Sequence, residues 1–393
     1  MSTSRRAHVL SDRPVKAIVV FTHIVGTAVI RALGKMGIPV VAFHYSVCLP
    51  NPKVNEPVFV NSIMDLSVRY GGSLLIPTDD YTLVALSKHK KILGAKYLVD
   101  AEEWNIVSQC INKQYTYARA NAIGISCPKG RVALSSGDLQ GCLHDVGLPC
   151  VMKPCQGHTF CDAFGVKMLR IANEGELLTQ YEKVRKLGID VMIQELIPGG
   201  DAEGVNYNSY FVDGVPIAEF TARKLRLEPP FFGSPRVLFS SYVSEIIEPG
   251  RAILRDLRYS GFSCMEFKRD VRDGQYKLME INCRSNRTGS LAVACGINFP
   301  WVMYQHLVHG RAVSCNGFKE NVAWIEGTSD VFRFLASRRD ERYSLREYIR
   351  PYRMENVFAV LSISDPLPFL KRCQYLIGQG LKKIGNRLRG RQR

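Results

Sequence analysis

The segment 263–284, S-C-M-E-F-K-R-D-V-R-D-G-Q-Y-K-L-M-E-I-N-C-R, restricts the fold more than any other stretch of the chain. Two strand-prone runs flank Arg272-Asp273-Gly274, the composition of a β-hairpin. Residues two apart on a strand share a face, so Glu280 and Asn282 point the same way. Glu266, on the partner strand, has two registers open to it. A two-residue Asp-Gly loop pairs it with Ile281 and sends the two glutamates to opposite faces. A three-residue loop over 272–274, with Gly274 in the left-handed conformation, pairs Glu266 with Glu280 directly. Two carboxylates face to face destabilise a hairpin unless a cation lies between them. The second register is therefore the one that carries chemistry: Glu266, Glu280 and Asn282 together offer hard oxygen ligands suited to a magnesium ion bridging phosphates. The first leaves an exposed hairpin with solvated charges. Arg284 continues the face of Asn282 and suits bidentate contact with phosphate or carboxylate.

The N-terminal hundred residues alternate strand and helix signals. Residues 17–21 read as a short buried strand, 27–36 as an amphipathic helix closed by Gly37, and 38–43 as a second strand. The pattern repeats with a helix at 66–70, a strand at 73–77 and a helix running to about 90, which predicts a parallel, Rossmann-like sheet. No G-x-G-x-x-G follows the first strand, so a dinucleotide site is not indicated. His23, Thr78, Asp79 and Asp80 stand at carboxyl ends of strands, where open α/β sheets bind ligands. Asp79 and Asp80 suit a helix N-cap, a substrate-facing role, or both. Further on, Asn112-Lys113 opens a helix at 114–123, and 148–153 reads as a strand with Lys153 on its end. The stretch 155–165 then reads as a loop holding two glycines, whose backbone N–H groups suit phosphate oxygens. A strand at 191–196 runs into I-P-G-G at 197–200, a hinge between lobes.

Charge and thiols narrow the class of function. The formal net charge of the 393-residue chain is +16, yet eleven of those charges lie in 1–16 and 371–393. The body between them is mildly basic and lacks the ordered basic–aromatic motif of a nucleic-acid module, so nucleic acid is not the expected partner. Hydrophobic residues make up 46% and charged residues 22%, which excludes wholesale disorder. No apolar run reaches transmembrane length, and 1–16 has no apolar core of a secretory signal. The twelve cysteines form no C-x-x-C pair, so zinc ribbons and dithiol redox sites are unsupported and a reducing cytoplasm is expected.

Taken in order, Q-E-L-I-P-G-G at 194–200, F-T-A-R-K-L-R at 220–226, E-F-K-R-D at 266–270, K-L-M-E-I-N-C-R at 277–284 and S-L-A-V-A-C-G at 290–296 resemble the ATP-grasp superfamily, in particular its branch of predicted carboxylate–amine ligases. The resemblance covers about 15–312. It implies an α/β (α+β) architecture: a flexible 1–14, a Rossmann-like pre-ATP-grasp domain at 15–112, and a two-lobed ATP-grasp domain at 113–312. The lobes are 113–193 and 201–312, with the hinge 194–200 between them. ATP and Mg2+, or Mn2+ in its place, are the implied cofactors. Lys113 and Lys153 resemble the two phosphate-binding lysines, and 156–165, with Gly157 and His158, the loop that closes over the phosphates. Glu195 resembles the hinge glutamate near the adenine amino group, with the backbone of Leu196 and Ile197 on the adenine edge and Asp201 or Glu203 at the ribose. Glu266, Glu280 and Asn282 match the metal ligands. Arg284 matches the arginine on the substrate carboxylate or the transferring phosphate, and Arg223 and Lys224 resemble basic residues facing the γ-phosphate. Cys283 departs from the proline of many members, and Ser285-Asn286-Arg287 gives an unfamiliar acceptor surface. The implied reaction phosphorylates a carboxylate to an acyl phosphate, releases ADP, and lets an amine displace the phosphate. A carboxylate–thiol ligase, a carboxylating enzyme and a non-catalytic nucleotide-binding protein are the alternatives.

Beyond the resemblance, 313–366 reads as a small packed C-terminal extension. In the tail 367–393, Leu370, Ile377, Leu381, Ile384 and Leu388 recur at helical spacing, with Lys371, Arg372, Lys382, Lys383, Arg387 and Arg389 on the other faces. Such a helix suits docking on its own body, a partner protein, or an anionic membrane surface. The expected location is cytoplasmic, with peripheral membrane association as one option.

Overall fold

The computed structural model describes residues 14–20, 23–45, 47–155, 159–337 and 343–390, and among these the strands form three sheets. The expectations placed on 1–13, Phe21, Thr22 and 156–158 lie outside the described residues.

The first sheet is parallel. Its strands β1 (Ala17–Val20), β2 (Val40–Phe43), β3 (Leu74–Pro77) and β4 (Leu98–Val99) lie in the order β2-β1-β3-β4. β1 and β3 are buried along their whole length, as parallel strands covered by helices are. The helix after β1 spans Ile24–Gly34, starting earlier than its periodicity suggests because Ile24 and Val25 are already buried. Asp79 caps the helix Asp80–Lys88, its Oδ1 accepting from Thr82 N at 2.9 Å.

The second sheet is antiparallel: β5 (Gly130–Ala133), β6 (Cys150–Pro154), β7 (Leu169–Ile171) and β8 (Val191–Glu195), in the order β5-β8-β6-β7. Strand alternation divides β6 between two environments. Cys150 and Met152 enter a core with Phe160, Leu177 and Tyr181, while Val151 and Lys153 face a cleft.

The third sheet contains β9 (Gly204–Val212), β10 (Val215–Glu228), β11 (Ser234–Ser240), β12 (Gly261–Arg269), β13 (Tyr276–Asn282), β14 (Ala323–Ile325) and β15 (Asn356–Phe358). Their order is β13-β12-β9-β10-β11-β14-β15. One face packs Val205, Tyr207, Met265, Phe267 and Leu278 onto Val107, Ile253 and Leu254. The other packs Tyr210, Phe220, Phe262 and Cys264 with residues of β1 and of the helices Gly289–Ala294 and Phe299–His309. Burying a large apolar side chain contributes about 1.5–3 kcal/mol. A row of charges on this second face therefore persists only where partners or a ligand offset its desolvation. That row exists, at the end nearest the second sheet. The segment 313–366, expected to form a small packed C-terminal extension, continues the sheet: β14 pairs with β11 and β15 with β14.

Candidate functional site

The hairpin loop is longer than the sequence suggests. Asp270 N donates to Gln275 O at 2.8 Å, Gly274 N donates to Asp270 O at 2.7 Å, and Gly274 adopts φ 75°. This closure sets Arg269 opposite Tyr276, Lys268 opposite Lys277 and Phe267 opposite Leu278. Continued unchanged, it would set Glu266 opposite Met279. A bulge at Met279 absorbs one residue and brings Glu266 opposite Glu280. The expected glutamate pair is present, but the three-residue loop over 272–274 is not its cause. The backbone freed by the bulge is satisfied from outside the sheet: Tyr117 Oη donates to Met279 O at 2.8 Å, and Leu278 N donates to Ser126 O at 2.8 Å.

Around this pair the side chains form a row across three strands. Asn206 on β9 stands opposite Glu266, which stands opposite Glu280. Lys224 of β10 forms an ion pair with Glu266. Its stem passes Gly204, where an added Cβ would lie 2.8 Å from Lys224 Cδ. Lys113, first residue of the helix Lys113–Ala122, places Nζ 3.7 Å from Glu280 Oε2, and Asn282 Nδ2 donates to Glu280 Oε1 at 3.1 Å. Lys153 is 3% exposed and donates from Nζ to Tyr117 Oη at 2.8 Å. One hydroxyl thus supports both the bulge and the buried lysine.

The ionisation of the row follows from this crowding. Burial works against an ionised Glu280, but Lys113, Lys167, the Asn282 hydrogen bond and Lys224 outweigh it and bring its pKa down to about 2. Burial, reinforced by Lys113, pushes Lys153 well below the ordinary lysine range. Lys224 moves up, because Glu266 outweighs its burial.

These groups fit a hard divalent cation. Asn206 Oδ1 is buried and has no hydrogen-bond partner among the described residues, and it belongs to the residue facing Glu266. No group of three or more His, Cys, Asp or Glu residues that could hold a metal occurs among the described residues. The donors here are two carboxylates with amide oxygens, an incomplete oxygen set of the kind that Mg2+ completes with phosphate oxygens and water. Glu266 and Glu280, with Lys113, Lys153 and Lys224, line a cleft of about 880 Å³, open to solvent, between the second and third sheets. Val151, Met168, Leu227, Phe231 and Phe232 form apolar parts of its wall, suited to a flat aromatic base.

The hinge residues are already tied to one another. Glu195 Oε1 accepts from Lys129 N at 2.8 Å and Oε2 from Arg272 Nη2 at 2.8 Å, so the hairpin loop is linked to the hinge. Lys268 Nζ donates to Ile197 O at 2.9 Å and to Gly199 O at 3.0 Å. Leu196 and Ile197 line the cleft. Asp201 also lines it, but its carboxylate accepts from Leu227 N at 2.8 Å and Phe231 N at 2.6 Å, closing the loop after β10. Glu203 accepts from Arg269 Nε at 2.8 Å. Both acids named for the ribose thus hold protein groups. Gly157 and His158 lie outside the described residues. Part of the expected loop 156–165 is the helix Thr159–Phe164, drawn into order by fully buried Phe160.

Arg223 differs from expectation, and Arg284 has a partner within the protein. Arg223 and Lys224 are neighbours on one strand, so only one of them can face the cleft. Lys224 does, and Arg223 turns to the opposite face, where Nη2 donates to Tyr276 Oη at 3.2 Å. Arg284 is engaged with the first sheet: Nε donates to Asp80 Oδ1 at 2.5 Å and Nη2 to Asp80 Oδ2 at 3.0 Å. Asp80 outweighs burial and raises the Arg284 pKa. Asp79 takes the cap and Asp80 the ion pair. Sequence reasoning missed Asn206, Tyr117, Lys167 and Lys268. Only Lys268 had a local signal, being two residues from Glu266 on the same strand face.

No protein-family model matches the chain. It is 26% identical to the D-aspartate ligase of Enterococcus faecium (strain Aus0004) over 267 residues, a stretch that is 62% of this chain and 62% of that protein. The match thus spans less than two thirds of that relative. Among solved structures, an L-amino acid ligase from Bacillus licheniformis superposes with a TM-score of 0.60 at 17% identity, over 76% of this chain and 75% of that one. The D-alanine–D-alanine ligase of Bacillus anthracis, complexed with ATP, superposes with a TM-score of 0.53 at 17% identity, over 75% of this chain and 98% of that one.

Proposed function

The chain has the ATP-grasp fold, and from that premise we propose that it is an ATP- and Mg2+-dependent ligase that activates a carboxylate as an acyl phosphate and joins it to an amine, releasing ADP and phosphate. The observation that carries this reading is the row Asn206–Glu266–Glu280, two facing carboxylates beside an unpaired buried amide oxygen, surrounded by Lys113, Lys153 and Lys224. The names of the similar proteins, ligases of D-aspartate, D-alanine and L-amino acids, support an amino acid or small peptide as substrate.

A carboxylate acylates poorly because its leaving group is oxide; phosphorylation supplies a better one. The catalysis lies in positioning and charge neutralisation. Glu266, Glu280 and Asn282 would hold the metal, with Asn206 Oδ1 as a further oxygen, and the bound ion would offset charge on the triphosphate. Lys153 and Lys113 meet phosphate oxygens from the second sheet's side and Lys224 from the third sheet's side. Phe231, Phe232 and Val151 enclose the base and keep water from it. Arg284, oriented by Asp80, would contact the substrate carboxylate or the transferring phosphoryl group. Replacing Glu280 with Gln keeps the shape and removes the charge; substrate-dependent ADP release falls at least about a hundredfold. Near-normal turnover would sink the reading.

The helix Leu367–Gly390 supports a second assignment, to an anionic membrane surface. Its inward side carries Phe369, packed on the core, and Arg372, while Leu367, Leu370 and Ile377 on its outward side are 66%, 56% and 62% exposed. Leu370 and Ile377, the two residues of the stripe whose side chains are described, are thus largely exposed. Among the described residues no helix is long and apolar enough to cross a membrane. Deleting 367–393 abolishes co-sedimentation with phosphatidylserine liposomes; retained binding refutes the assignment.

A further inference from the structure

A second charge cluster lies beyond Arg284, outside the nucleotide cleft. Glu326, 1% exposed, sits between β14 and the helix Gly327–Ser337. Its Oε1 accepts from Thr328 Oγ1 at 2.5 Å and its Oε2 from Ser329 N at 2.8 Å. Two guanidiniums share this single carboxylate. Arg372 Nη2 is 3.1 Å from Oε1, and Arg287 Nη2 is 3.9 Å from Oε2. The trio keeps one positive charge in excess. The Arg287 Nε is buried, and no described residue accepts a hydrogen bond from it.

The surroundings suit an anion. Arg287, Arg372 and Glu326 all act on His23, at the carboxyl end of β1, whose pKa is lowered by partial burial first and by the two arginines next. His23 opens the helix Ile24–Gly34 without a side-chain cap, and the first turn of that helix has no acidic residue. Val25, in the first turn of that helix, and Asn286, the residue before Arg287, line one small pocket, so the positive end of the helix dipole is added to the excess charge. The cluster also adjoins the catalytic row. Asn286, the residue before Arg287, donates to Asn208 Oδ1 on β9, two positions from Asn206 and on the same face.

We propose that Arg287, Arg372 and the amino end of the helix Ile24–Gly34 form a subsite for a second anionic group, a carboxylate or phosphate that the substrate carries besides the carboxylate that reacts. This rests on the ligase reading and adds a selectivity to it. Glu326 is the internal counter-ion that orients both guanidiniums, and Arg372 brings the C-terminal helix into the substrate site.

Calorimetric titration of the full chain with aspartate, asparagine and inorganic phosphate tests the subsite, and ATP titration serves as the control. Aspartate binds more tightly than asparagine; Arg287→Ala and Arg372→Ala each weaken aspartate about tenfold and leave ATP affinity unchanged. Arg372→Lys, which keeps the charge, weakens it less. Glu326→Gln removes the competing carboxylate and tightens aspartate, a gain that a purely structural ion pair would not produce. Phosphate binding that is lost in the same variants, with no aspartate binding, assigns the group as phosphate. Equal affinities in wild type and both arginine variants, or no binding of either anion to the wild type, overturn the subsite. These titrations involve no turnover, so their failure leaves the Glu280→Gln result standing; normal turnover in Glu280→Gln sinks the ligase reading without altering them.

Discussion

Lys224 and Arg226 lie two residues apart on β10, and the charge clusters they enter are opposites. A register shift between them places Lys224 opposite Leu238 and Arg226 opposite Val237, so the two side chains part company. Arg226 donates from Nε to Asp330 Oδ1 at 2.9 Å and from Nη2 to Asp330 Oδ2 at 2.8 Å, and both residues are 0% exposed. Tyr352 Oη donates to the same carboxylate at 2.7 Å, and Tyr348 stacks under the guanidinium with 4.6 Å from Cζ to the ring centroid. Around Lys224, by contrast, carboxylates face each other, Lys153 is pushed toward losing its proton, and Asn206 Oδ1 goes unmatched. Arg226 and Asp330 satisfy each other bidentately and hold β10 to the helix Gly327–Ser337. The open one leaves polar groups for a ligand to complete. Charge inside a fold marks a site when it is incompletely paired.

Four experiments break or sharpen that contrast. The largest effect falls on the closed cluster. Asp330→Ala strands Arg226, together with Arg236, whose Nη1 is 3.4 Å from Asp330. It lowers unfolding free energy by about 3–5 kcal/mol in urea titration, and the molecules that remain folded keep their ATP affinity. A cost under about 1 kcal/mol would show that the cluster is not structural. Next, Lys153→Met lowers kcat/KM for ATP by about 100-fold while the urea midpoint holds or rises, because a desolvated cation has been removed. A fall in both would place Lys153 with the structural charges. Tyr117→Phe is milder. It leaves Met279 O without its donor and costs about 1 kcal/mol of stability, with a several-fold drop in ADP release.

The smallest effect is on pH dependence. In Lys113→Met the Glu280 carboxyl loses its chief cation, so its pKa rises from about 2, and Lys153 loses a repelling neighbour, so its pKa rises too. An acid that titrates higher moves the acid limb of kcat/KM to higher pH, and a lysine that titrates higher moves the alkaline limb the same way. Both limbs shift upward together; opposite shifts would mean that the two groups are not held by the same charge.

The alternating elements of the first sheet, the strand carrying Lys153 and the shared face of Glu280 and Asn282 were legible because they rest on local periodicity. Arg223 was misplaced by the same rule left unused, since neighbours on a strand cannot both face the cleft. The Arg284–Asp80 pair was hidden because its members are far apart in sequence and either alone looks like a solvated or capping charge. Arg372 was hidden in another way. The helix that bears it was recognised, but which side docks depends on Glu326 and Thr328 across the fold.

The sequence by itself determined the kinds of elements and offered Glu266, Glu280, Lys113, Lys153 and Lys224 to the cleft with their hard, oxygen-rich chemistry, because strand and helix periods turn spacing directly into faces. Only the tertiary structure decided the bulge that sets Glu266 against Glu280 and the register shift that separates Lys224 from Arg226. The physical reason is that an irregular strand frees backbone groups that need partners, and for the bulge at Met279 those partners, Tyr117 and Ser126, arrive from another part of the chain.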